Sequence, residues 1–129
     1  MSQQATNKPS VMVVDDDSIM RETLKAILRS EDYPIAGEAS NGQDAVAVCQ
    51  NTKPDVVLLD INMPKMDGLQ ALEEIRKVSP KSIIVMVSAV ATMDKVKEAI
   101  ERGAAGFVVK PINPASVLDR VARCSKMRK

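Results

Sequence analysis

The chain of 129 residues has no histidine and no tryptophan, and its aromatic content is 2%, one tyrosine and one phenylalanine. Without imidazole there is no Ser-His-Asp triad, no histidine general base and no histidine metal site. Any chemistry is left to carboxylates, hydroxyls and amines. Cysteine is equally scarce: Cys49 and Cys124 stand far apart and form no CxxC pair, which removes zinc and redox motifs and leaves two free thiols inside helices. The formal net charge is only +1, so nothing global points to nucleic acid or anionic lipid. The longest apolar stretch, Ile83 to Ala91 broken by Ser88, falls far short of the roughly 20 residues that cross a bilayer. Residues 1–10 are polar and lack the apolar core of a signal peptide. These lacks predict a soluble, cytoplasmic protein: a loose arm over residues 1–9 and one domain over 10–129, with no room for a second output domain.

Four short apolar runs are what the chain does have, and each stops on a residue suited to phosphate or magnesium. Val11 to Val14 runs into Asp15-Asp16, Val56 to Leu59 into Asp60, Ile83 to Val87 into Ser88, and Phe107 to Val109 into Lys110. Such runs read as strands of a parallel sheet buried on both faces, whose carboxyl ends carry the ligand sites of open α/β folds. Between them lie helical patterns. Ile19, Leu24, Ile27 and Leu28 mark a first helix with Ser18 as its cap; Ile35 to Ala39 is a weaker strand with Gly37 inside; Asn41 caps a helix bearing Ala45, Val46 and Cys49. Leu69, Leu72, Ile75 and Val78 mark a third helix ended by Ser79-Pro80, Val96, Ala99 and Ile100 a fourth closed by Gly103, and Val117, Leu118, Val121 and Ala122 a fifth.

Five βα alternations with right-handed crossovers predict a doubly wound parallel sheet covered on both faces. Neither GxGxxG nor GxxxxGK[ST] occurs, which favours the flavodoxin-like order 2-1-3-4-5 over a nucleotide-binding unit. A flavin carrier fits poorly, for want of aromatics and of a hydroxyl-rich loop after the first strand. In the chosen order Asp15, Asp16 and Asp60 converge from neighbouring strands, and hard oxygen ligands in a small volume suit Mg²⁺. An Asp-Asp pair by itself is weak evidence for a metal and reads more simply as a solvated helix-capping turn. Asp17 reads as a solvated helix start with a second reading as extra charge at the rim.

The segments VVDDDS, DINMPKMDG, VSA and GAAGFVVKP stand in the order and spacing of bacterial response-regulator receiver domains, and the chain resembles that family almost end to end, looking like a single-domain receiver of the chemotaxis type. The resemblance implies that Asp60 accepts a phosphoryl group, that Asp16 binds Mg²⁺ directly and Asp15 through water, and that the Asn62 carbonyl adds a ligand. It makes Ser88 the switch hydroxyl, Lys110 the lysine paired with the acceptor, and Phe107 the aromatic that turns inward when Ser88 moves. Read without the family, Phe107 is a core aromatic. The bond before Pro111 is commonly cis in the family. Asn62 and Val90 occupy the positions that tune phosphoryl lifetime; Val90 has no polar atom to orient a water, so self-dephosphorylation is expected to be slower than in a Val90→Glu variant, with equal or faster loss refuting this.

The resemblance also implies a sensor histidine kinase or phosphotransfer protein as donor, a phosphatase, and a downstream protein bound at the fourth helix, fifth strand and fifth helix, with no direct nucleic-acid binding and no membrane insertion. The protein would catalyse only its own phosphorylation and dephosphorylation. The basic residues Arg120, Arg123, Lys126, Arg128 and Lys129 read as a solvated helix end that complements the dipole. Two rivals remain: a Mg²⁺-dependent phosphohydrolase with Asp15 as nucleophile and Asp17 as acid/base, and a receiver-fold binding module independent of phosphate.

Overall fold

Runs of valine, isoleucine and leucine become strands when both faces are covered, and the computed structural model, which describes residues 8–63, 65–89 and 92–126, places them so. Strands β1 (Val11–Val14), β2 (Ile35–Ala39), β3 (Val56–Asp60), β4 (Ile83–Ser88) and β5 (Gly106–Val109) alternate with helices α1 (Ser18–Ser30), α2 (Gly42–Thr52), α3 (Gly68–Val78), α4 (Met93–Glu101) and α5 (Pro114–Ser125). All strand pairs are parallel, in the order β2-β1-β3-β4-β5, the flavodoxin-like arrangement expected from the alternation.

The period-two alternation of strand side chains divides the interior into two cores. Met12, Val14, Val57, Leu59, Ile84 and Met86 meet Ala45 and Cys49 of α2, Leu69, Leu72 and Ile75 of α3, and Ala99 of α4. On the other face Val11, Val13, Val56, Leu58, Val85 and Val87 meet Leu24, Ile27 and Leu28 of α1 and Val117, Val121 and Cys124 of α5. β1 and β3 are buried throughout, and β4 is buried from Ile84 on, as expected. β5 is not: it lies at the sheet edge, Val109 is 51% exposed, and only one of its faces is fully covered.

Three helix details depart from the sequence reading. The cap of α1 is Asp17, not Ser18: Asp17 has extended backbone and its Oδ1 accepts from the Ile19 N–H at 2.9 Å. The chain turns one residue earlier because the Asp17 N–H is itself held by Asp15 Oδ1 at 2.9 Å. Ile19 is 75% exposed rather than part of the core stripe. It stands five positions before Leu24, which at about 100° per residue sets it about 140° round the helix from the buried side. Ile100 likewise faces outward, leaving Ala99 as the buried residue of α4. Asn41, Ser79 and Gly103 do stand at the helix ends expected of them, Gly103 at φ +114° in the left-handed region.

Lys8 and Pro9, inside the expected arm, sit against the domain: Lys8 Nζ lies 4.5 Å above the Tyr33 ring and donates to the Glu31 carbonyl, and Pro9 is buried. The rest of that arm, Arg128, Lys129, Pro64 and Val90 lie outside the described residues. No helix among the described residues is long and apolar enough to cross a membrane.

Candidate functional site

The strand order reverses at β1, with β2 added on one side of it and β3 on the other, and in open α/β sheets the crevice at such a switch point receives the ligand. Asp15 and Asp16 leave β1 into that crevice and Asp60 ends β3 beside it. One carboxylate oxygen from each of Asp15, Asp16 and Asp60 lies within 4.8 Å of the others. Asp15 and Asp60 are buried while Asp16 faces solvent, so the cluster is a half-open bowl.

Lys110 reaches the bowl from the end of β5. Its N–H donates to the Ser88 carbonyl at 2.9 Å, which extends the β4-β5 ladder past the strand ends and sets Lys110 next to Ser88. The peptide bond from Lys110 to Pro111 is cis. Lys110 Nζ donates to Asp15 Oδ2 at 2.8 Å and lies 3.5 Å from Asp60 Oδ2, so the lysine expected at the acceptor bridges both acids and bonds Asp15 more closely.

The electrostatics follow from that crowding. Burial, together with the charge of Asp15, pushes the Asp60 carboxyl above its ordinary value, although Lys110 and the Asn62 backbone N–H pull the other way. Burial works against the Lys110 ammonium, but the hydrogen bond it donates to Asp15 and the charges of Asp60 and Asp15 outweigh it and leave its pKa raised. One ammonium among three carboxylates leaves a net negative bowl of hard oxygens, the donor set of a small divalent cation.

Ser88, fully buried, ends β4 one residue beyond Val87, the register partner of Asp60. Phe107 is half-buried, beside Met86 in register and packed against the core that α2, α3 and α4 cover. The loop after Asp60 folds back tightly. Gly68 N–H donates to the Ile61 carbonyl at 2.6 Å, and a Cβ on Gly68 would sit 2.1 Å from the Asp60 carbonyl oxygen, so no larger residue fits. Asn62 faces solvent with its backbone N–H on the Asp60 carboxylate.

Two partners escape the sequence reading. The Asp17 N–H holds Asp15 Oδ1, and Arg21 Nη1 donates to the Asp15 carbonyl at 2.8 Å. Arg21 carries no motif, because its reach to Asp15 depends on how α1 leaves the sheet. Asp17 matters through its backbone, which composition does not reveal.

Comparison with known proteins agrees with this geometry. The family described as the response regulator receiver domain matches residues 11–122. The chemotaxis protein CheY of Thermotoga maritima is 43% identical over 116 residues, covering 90% of this chain and 97% of that protein. Among solved structures, the CheX–CheY complex with BeF₃ and Mg²⁺ from Borrelia burgdorferi contains a chain that superposes with a TM-score of 0.88 at 36% identity, over 94% of this chain and 92% of that one. The receiver domain of the response regulator NarL from Mycobacterium tuberculosis gives a TM-score of 0.88 at 34% identity, over 94% and 98%. Matched over most of its length in both sequence and fold, the chain belongs to the response regulator receiver domain family.

Proposed function

We propose that this receiver domain takes a phosphoryl group onto Asp60 and passes the resulting change to a partner protein. The convergence of Asp15, Asp16 and Asp60 with the Lys110 ammonium at the carboxyl ends of the strands carries the reading. A carboxylate is a poor nucleophile toward a dianionic phosphoryl group unless cations cancel the repulsion. Mg²⁺, when bound, supplies part of that cancellation, and the relative solved with Mg²⁺ supports its use here. Asp16, Asp15, Asp60 and the Asn62 carbonyl would hold it. Lys110 supplies the remaining positive charge.

An Asp60 carboxylate oxygen forms the new bond to phosphorus as the P–N bond of a phosphohistidine, or the P–O bond of a small acyl phosphate, breaks and its electron pair leaves with the donor. The leaving imidazole takes up a proton on the donor, so this chain's lack of histidine is no handicap. The phosphoryl group adds about −1.5 to −2 charges and new acceptor oxygens, toward which the Ser88 hydroxyl donates. Its movement makes room for Phe107 to turn inward, and the face formed by α4, β5 and α5 changes shape. Met93, Ile100 and Val109 are exposed apolar side chains on α4 and β5, which suits a protein partner there.

The setting is a cytoplasmic two-component pathway, with a histidine kinase or phosphotransfer protein as donor, a phosphatase to reset it, and chemotaxis as the pathway its relatives suggest. Residues 10–129 form the receiver, against which Lys8 and Pro9 pack. Turnover is confined to its own phosphoryl group. Nucleic acid and bilayer have no direct role. The phosphohydrolase alternative is not favoured: it needs Asp17 as acid/base, and that carboxylate is engaged in capping α1.

Incubation with acetyl phosphate and Mg²⁺, with and without EDTA, followed by intact mass tests this. A Mg²⁺-dependent phosphoryl adduct absent from Asp60→Asn is the expected result. Loss in Asp15→Asn with retention in Asp60→Asn would point to the phosphohydrolase, and no adduct with no response to beryllofluoride would point to a phosphate-independent module.

A further inference from the structure

Arg21 stands in the first turns of α1, and its side chain runs back toward the carboxyl end of β1, the direction in which helical side chains tilt. Nη1 donates to the Asp15 carbonyl at 2.8 Å and Nε donates to Glu38 Oε1 at 2.9 Å. Glu38, in β2, is gripped on its other oxygen by Lys25 Nζ at 2.6 Å. The guanidinium is thus clamped between a strand carboxylate and the backbone of the acidic loop. Its side chain is 19% exposed, so these charge-assisted bonds are partly shielded from water.

The oxygen that Arg21 holds belongs to the peptide joining Asp15 to Asp16. That unit is planar, so fixing its oxygen fixes the direction in which Asp16 leaves. The Asp15 carboxylate is anchored separately, by Lys110 Nζ and the Asp17 N–H. Asp16 has no such anchor: it is exposed, and among the described residues no hydrogen bond or ion pair holds its carboxylate. Its aim depends on its backbone.

We infer that Arg21 is a positioning residue that orients the Asp15–Asp16 peptide, and through it the Asp16 carboxylate, for divalent-cation binding, with Glu38 and Lys25 bracing the guanidinium. This rests on the acidic crevice being a divalent-cation site. Charge and positioning predict opposite signs, which makes the idea testable. Removing a positive charge near a cation site should by itself tighten binding, whereas releasing the peptide should weaken it. Residues that orient metal ligands typically change affinity by about 10–100-fold, and a partly exposed site belongs near tenfold.

Mn²⁺ titrated into the unphosphorylated protein, with free Mn²⁺ read by electron paramagnetic resonance and folding checked by circular dichroism, is the experiment. Native protein should bind; Arg21→Met should bind about tenfold more weakly; Arg21→Lys should recover part of the loss. Glu38→Gln should weaken binding by a smaller factor, and the double variant Arg21→Met with Glu38→Gln no more than Arg21→Met alone, because both act through one guanidinium. Unchanged or tighter binding in folded Arg21→Met overturns the inference. Should that variant not fold, unchanged binding in Glu38→Gln overturns it. Absence of binding by the native protein would instead remove the cation site itself.

Discussion

Cys49 illustrates how completely the interior governs single residues. It is fully buried with its sulfur 3.4 Å from Met12 Sδ, and burial pushes its thiol up to about 12. Cys124 is buried on the opposite face of the sheet and its thiol is raised as well. The thiolate is the reactive form, so neither cysteine should react with Ellman's reagent at pH 8 in the native state, and both should react within the mixing time in guanidinium. Rapid labelling of the native protein would contradict the packing described. The side chains are divided accordingly: carboxylates and an ammonium gather at the crevice, while thiols and thioethers such as Cys49, Cys124, Met12 and Met86 fill the core. Asp15, Asp16, Asp60, Ser88 and Lys110 were all legible in the chain, because each directly follows or ends an apolar run. Arg21 was not, since it stands six positions along the chain from the carbonyl it holds, across a turn and into a helix.

At the scale of elements, two adjacent residues both able to cap α1 are separated by geometry. Asp17 accepts the Ile19 N–H, whereas Ser18 already belongs to the helix. Asp17→Ala should therefore cost about 1 kcal/mol in urea unfolding and Ser18→Ala only a few tenths. Equal costs would mean that the cap is shared. The link between α1 and β2 is ionic, and its pH dependence has a definite sign. The hydrogen bond from Lys25, helped by Arg21 and opposed by burial, holds the Glu38 carboxyl below its ordinary 4.5. A depressed carboxyl contributes stability that is complete above about pH 4.5 and is lost as pH falls through the lower folded value. The stability gap between native protein and Glu38→Gln should thus be constant from pH 7 to 5 and close below 4.5, measured by urea unfolding across that range. A gap that widened in acid would reverse the assignment. Lys25 has its pKa raised by Glu22 and Glu38, so its own share persists below about 10.5 and fades only above it.

For the whole molecule, the crevice concentrates negative charge that folding alone has to bring together. A divalent cation that binds the folded state and not the unfolded one shifts the equilibrium by mass action. At ten times its dissociation constant, Mg²⁺ should stabilise the protein by about 1.4 kcal/mol relative to EDTA, seen as a raised Tm. The increment should disappear in Asp16→Asn. A Tm indifferent to Mg²⁺ in the native protein would argue against the metal site. Phosphorylation at Asp60 would act on the same molecule-wide balance by favouring one of two arrangements of Ser88 and Phe107, which requires differential contacts rather than mere occupancy. Phe107 stands half-buried, packed against the core that α2, α3 and α4 cover.

The amino-acid order alone determined the alternation of strands and helices, the parallel sheet and its order, and the acids that end β1 and β3. Hydrophobic periodicity and the residues that punctuate it are local properties, and each chemical group stood at the end of a run that could be counted. Tertiary structure decided what depends on distance through space: that β5 is an edge with Val109 exposed, that Ile19 and Ile100 face outward, and that Asp17 rather than Ser18 caps α1. It also decided that Lys110 lies nearer Asp15 than Asp60 and that Arg21 reaches back to the acidic loop. Those contacts follow from the twist and packing of elements far apart in the chain, and spacing along a sequence carries no measure of them.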